Sequence, residues 1–162
     1  MDVSPTTAPD WVMNLIRDFQ DKITQGLYEG VYDLEGRPLE RLMERQAHAC
    51  GAAYLELCGL PEGMGLEEFL SRIRYTGPSQ IDIHRADDTI DWVERHPDGC
   101  VCPLVKRNVI RLEGKLCLCG AAWVRYLFEK VANTCVDVEI VDTIASGAQN
   151  CHFRVRLLDA GS

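Results

Sequence analysis

No apolar run in this sequence approaches the roughly 20 residues needed to cross a bilayer, so a membrane-spanning helix is not expected. The start, Met1-Asp2-Val3-Ser4-Pro5, has neither the basic residues nor the apolar stretch of a secretion signal, and a cytoplasmic location is expected. A surplus of basic residues is also missing. The net charge is −8, and phosphate backbones are bound by clustered Lys and Arg, so a nucleic-acid partner is not expected. Arg154 and Arg156 alternate near the C-terminus, but two charges read as a solvated strand face. There is no internal repeat, no low-complexity stretch and no linker that would split the chain. Nucleophile elbow, phosphate-cradling glycine loop and H-E-x-x-H are all absent, so no catalytic residue can be named from a motif. The aspartates at 82, 87, 88 and 91 lack the tight oxygen spacing of a calcium loop and read as a solvated segment.

What remains is one domain's worth of chain: 162 residues, 46% hydrophobic and 26% charged, long enough to bury a core. Its first half has helical periodicity. Trp11, Val12, Leu15, Ile16, Phe19 and Ile23 predict a helix from Asp10 to a stop near Gly26. A second helix opens with Pro38 in its first turn and ends at Gly59, with Leu39, Leu42, Met43, Ala47, Cys50, Tyr54 and Leu57 as its apolar stripe. Leu66, Phe69, Leu70 and Ile73 predict a short third helix.

Beyond Gly77-Pro78 the period changes to two. Ile81 and Ile83, then Ile90 and Trp92, predict short strands. A late helix after Gly120 carries Val124, Leu127, Phe128 and Val131. Val136, Val138 and Ile140 then alternate on one strand and Cys151, Phe153, Val155 and Leu157 on another, with turn-forming residues between. The expected fold is α+β: N-terminal helices (about 8–76) packed on a mainly antiparallel sheet, with a late helix and a C-terminal β-hairpin in a strand-rich part (about 79–158). The apolar face of the two N-terminal helices is of a kind that supports a homodimer.

Eight cysteines are the outstanding feature of the composition. In a reducing compartment such a count points to metal or redox chemistry before disulfides. Cys50 lies in the second helix's stripe, and Cys58 closes that helix; both read as small hydrophobes. Cys135 has no evident partner. The pairs Cys100-Val101-Cys102 and Cys117-Leu118-Cys119 are separated by 14 residues, and four thiolates in two pairs suit tetrahedral zinc. An iron–sulfur cluster, a redox dithiol and simple packing are the alternatives. In extended chain both members of a C-x-C pair point the same way, which is the premise of the metal reading. His96, four residues before Cys100, is a substitute ligand, although its place beside Pro97-Asp98-Gly99 is also that of an ordinary turn residue. His48 and His84 show no partner, and His152 is expected at the surface.

The C-terminal stretch carries a family resemblance. Cys117-x-Cys119, Ala122-Trp123, Phe128-Glu129-Lys130-Val131 and Val136-Asp137-Val138-Glu139 lead to Thr143 through Phe153, with its Gly147-x-x-x-Cys151-x-Phe153 turn. Over about residues 100–158 this resembles 4-vinyl-reductase-like domains and is similar to the L-2-amino-thiazoline-4-carboxylic acid hydrolase-like proteins. The first likeness implies a small-molecule sensor with an apolar pocket, and some such sensors carry zinc near the end of the domain. Ile140 and Thr143 stand where those sensors have Glu and Cys, and only Cys151 matches, as a further substitute ligand. The second likeness implies hydrolysis of a C–N bond in a small heterocycle, with no catalytic residue that can be carried over. Two functions are therefore expected. One is a zinc-stabilised domain binding a small apolar molecule or a regulatory partner. The other is a hydrolase whose metal keeps an open position, held by Cys100, Cys117, Cys119 and either His96 or Cys151.

Overall fold

The core forms where one face of a four-stranded sheet meets a late helix. In the computed structural model, residues 9–76 and 80–158 are described. The expected Gly77-Pro78 boundary and the first residues of the chain lie outside them. Helices α1 (Asp10–Tyr32), α2 (Gly36–Cys58) and α3 (Leu66–Ile73) come first. Strands β1 (Gln80–Ala86) and β2 (Thr89–Arg95) follow, then α4 (Pro103–Lys106), α5 (Leu118–Lys130), β3 (Val136–Asp142) and β4 (Asn150–Leu157). All strand pairs are antiparallel, in the order β1-β2-β4-β3. This is the expected α+β architecture.

Alternation along the strands decides which face is covered. Ile81, Ile83, Ile90, Trp92, Phe153 and Val155 are all buried, and the register sets Trp92 between Ile83 and Phe153. Val124, Leu127 and Phe128 of α5 are fully buried against this face. Phe128 meets Phe69 of α3 edge-on at 5.1 Å and Trp92 at 5.8 Å, so the helical and strand-rich parts share one core. Two glycines set how closely the layers approach. A Cβ on Gly51 would stand 2.3 Å from the Tyr126 ring, and one on Gly120 would stand 2.9 Å from the Phe153 ring.

Several elements differ from their sequence expectation. Helix α1 does not stop at Gly26 but runs to Tyr32, because Tyr28 and Val31 in its last turns are buried with Leu39, Met43 and Leu116. That tertiary contact outweighs the roughly 1 kcal/mol cost of a helical glycine. Helix α2 ends as expected, with Gly59 in the left-handed conformation (φ 62°). Its predicted stripe is only partly inside: Leu39, Met43 and Ala47 are buried, whereas Cys50 and Leu57 are exposed. The late helix begins at Leu118, two residues before the expected Gly120. The terminal strands pair as expected, but their connection contains a 3₁₀ turn, Ile144–Ser146. The buried Thr143 side chain accepts from the Ser146 amide at 3.3 Å, and Ser146 Oγ accepts from the Thr143 amide at 3.0 Å.

Candidate functional site

The thiols gather where the loop after β2, the start of α5 and the start of β4 converge. Cys100 and Cys102 precede α4, and Pro103 opens that helix as its first residue. Cys117 ends a 3₁₀ turn, and Cys119 lies in the first turn of α5. The second pair therefore spans a 3₁₀ turn and the start of a helix, not the extended chain that the C-x-C premise assumes. Cys119 packs instead beside the Tyr28–Met43 cluster, and Cys151 packs against the main core. Burial pushes the Cys119 thiol up to about 12, with Cys50, Cys102 and Cys117 adding to the rise. Burial likewise raises Cys151 to about 11; the Ile144 amide opposes this, while Glu94, Cys117 and Cys100 add to it. Cys100 is raised too, first by burial. At neutral pH burial keeps these thiols protonated, which makes them poor nucleophiles.

All eight cysteines are free. Among the described residues no group of three or more His, Cys, Asp or Glu side chains is placed to hold a metal ion. The expectation of a metal-stabilised, zinc-binding domain is corrected accordingly.

His96 is not a turn residue at the surface but is 7% exposed, with Nε2 3.1 Å from Glu94 Oε2. Glu94 is buried as well, and its other oxygen accepts from Trp92 Nε1 at 2.9 Å. Periodicity misses this network because Glu94 occupies a core position of an alternating strand where an apolar residue is expected. His152, expected at the surface, is partly covered and lies 2.8 Å from Asp91 Oδ1. Arg154 reaches Asp91 at 3.7 Å and Glu139 at 3.6 Å, so the outer sheet face is an ion-pair lattice. His48 lies against the Tyr126 ring at 4.9 Å.

A larger anomaly lies on α1. Trp11, Leu15, Phe19, Ile23 and Leu27 recur every fourth residue and, with Met13 and Ile16, are 44–68% exposed. At about 150–250 Å² per large side chain, they leave roughly 600–1,000 Å² of apolar surface open. The largest patch on a typical monomer is about 300–600 Å². The helix is held at its other face and end. Asp21 pairs with Arg107, Tyr28 Oη donates to Gln46, and the Tyr32 carbonyl accepts from Lys115 Nζ. Arg111 lies 4.3 Å over the Tyr32 ring, and its amide donates to Tyr32 Oη at 2.7 Å.

Elsewhere a groove of about 780 Å³ runs between α2, α5 and β3. Leu118, Ala121, Ala122, Val138 and Ile140 form its floor; Arg37, Glu40, Arg41, Glu44 and Arg125 form its rim. A second hollow of about 450 Å³ lies between α1 and the segment 105–112, with Tyr28, Tyr32, Asn108 and Arg111 in its wall.

No protein-family model matches the sequence, and no curated protein matches it. Among solved structures, the fold is similar to a trafficking protein particle complex subunit 3 from Naegleria fowleri, crystallised covalently bound to palmitic acid. The TM-score is 0.53 at 13% identity, over 90% of this chain and 97% of that one. The likeness is one of fold. It spans helices and sheet together, and it replaces the 4-vinyl-reductase and thiazoline-hydrolase resemblance drawn from the C-terminal residues. The small-molecule sensor and C–N hydrolase readings fall with that resemblance. The neighbour is a subunit of a multi-subunit complex. No helix among the described residues is long and apolar enough to cross a membrane.

Proposed function

We propose that this protein is an assembly subunit that works by protein–protein contact, and that its first partner is a second copy of itself. The observation that carries this reading is the open apolar face of α1. Its extent matches the roughly 800 Å² per partner of a standard specific interface. Aromatic anchors such as Trp11 and Phe19 are the side chains that dominate binding energy in such contacts. The shared fold with a complex subunit supports the same reading. A cytoplasmic setting would keep the eight thiols reduced.

The palmitate of the fold neighbour does not enter this reading. An acyl chain needs an enclosed apolar tunnel, and the groove between α2, α5 and β3 is rimmed by five charged side chains.

Sedimentation equilibrium of the full chain tests the proposal. The expected mass is twice the 18.2 kDa of one chain at micromolar concentration. Phe19→Glu, on a side chain already 65% exposed, is expected to give a folded monomer. A native chain that stays monomeric overturns the reading.

A further inference from the structure

The groove between α2, α5 and β3 pairs an apolar floor with a charged rim that forms no ion pair among the described residues. Arg37, Arg41 and Arg125 form no ion pair with the described residues, nor do Glu40 and Glu44. Arg37, Arg41 and Arg125 bring three positive charges to one hollow of a chain that carries 25 acidic residues against 17 Lys and Arg. The floor contains Ala121 and Ala122, whose small side chains let a helix backbone approach closely.

We infer that this groove receives α1 of a second copy, so that two chains exchange their first helices. The inference deepens the assembly reading above and rests on it. Three observations point to α1 as the occupant. The first is that α1 has the missing half of a helix-in-groove contact, an exposed apolar stripe on a 23-residue helix. Charge is the second: Asp18 and Lys22, one turn apart on α1, are exposed and form no ion pair with the described residues. Along α2 the rim runs Arg37, Glu40, Arg41, Glu44. An α1 helix laid parallel to α2 sets Asp18 against the arginines and Lys22 against the glutamates. The third is anchorage: Tyr28 and Val31 fix the end of α1 to its own body, leaving the stripe outward. A two-fold exchange then uses each arm and each groove once and closes without leaving a free copy of either.

Four full-length chains test it by sedimentation, with circular dichroism as the folding control. Arg41→Glu with Arg125→Glu disables the groove at the rim, and Ala122→Trp fills its floor. Phe19→Glu disables the arm. Arm exchange requires each of the three to weaken the dimer at least about tenfold. It further requires that the Phe19→Glu chain mixed with the double-arginine variant form a heterodimer, since one arm and one groove remain intact. The fourth chain adds Asp18→Arg to Arg41→Glu and Arg125→Glu, and is expected to recover part of the lost affinity. A double-arginine variant that folds and dimerises like the native chain overturns the groove assignment while the α1 dimer stands. Two folded monomeric variants that do not associate on mixing overturn it as well. A Phe19→Glu chain that still dimerises removes both readings at once.

Discussion

Glu94 is the residue on which the inner sheet face depends in an unexpected way. Its two carboxylate oxygens serve Trp92 Nε1 and His96 Nε2, and all three side chains are buried. Glu94→Leu would remove the acceptor of the buried Trp92 Nε1 and leave that donor unsatisfied. The expected loss is about 1–3 kcal/mol, read as a lower urea midpoint with an unchanged slope. The thiols make a second residue-scale prediction. Cys119 and Cys151 hold their protons more tightly folded than the ordinary thiol value of 9.0, because burial disfavours the thiolate. The folded state therefore binds more protons than the unfolded state above pH 9. That contribution to stability is fully present below pH 9 and is lost as pH rises towards 11 and 12. Urea midpoints measured in reductant at pH 8 and pH 10.5 should show lower stability at the higher pH; equal or rising midpoints contradict the burial of these thiols. At pH 8, alkylation of Cys119 and Cys151 should lag that of the exposed Cys135.

At the scale of elements, the close approaches of α5 are the most exacting feature. Gly51 admits the Tyr126 ring, and Gly120 admits the Phe153 ring. Gly51→Ala gains helix propensity worth about 1 kcal/mol but overpacks a contact with no room for a Cβ, at a cost of about 1–3 kcal/mol. A net loss of stability is expected from thermal unfolding, whereas Gly26→Ala, with nothing within 4 Å, should stabilise. Periodicity made most elements legible: α2, α3 and the alternating strands follow from residues such as Met43, Phe69, Trp92 and Val155. It failed where tertiary contact decided the outcome. Gly26 does not end α1, because Tyr28 and Val31 find a cluster five or more residues further on. The C-x-C reading rested on a local premise. It assumed extended chain at 117–119, where Cys117 closes a 3₁₀ turn and Cys119 sits in a helix. The Glu94–His96 contact was illegible because its partners share a strand end whose polar residues look solvent-facing in sequence.

For the whole molecule, the fold spends its apolar residues unevenly. The sheet, α3 and α5 close a core around Trp92 and Phe128, while α1 keeps Trp11 and Phe19 more than half exposed. Sequence alone shows the α1 stripe but not its direction, since an amphipathic period is the same whether the apolar face meets its own core or another chain. The resemblance drawn from residues 100–158 misled because short turn-and-strand endings recur across folds. The fold shared over 90% of the chain is the broader observation. Covering the α1 face is the central claim, and the concentration dependence of mass tests it most directly. Sedimentation equilibrium of the native chain should give a dimer, and Phe19→Glu should give a monomer with native circular dichroism. A native chain that remains at 18.2 kDa across the micromolar range would contradict the account.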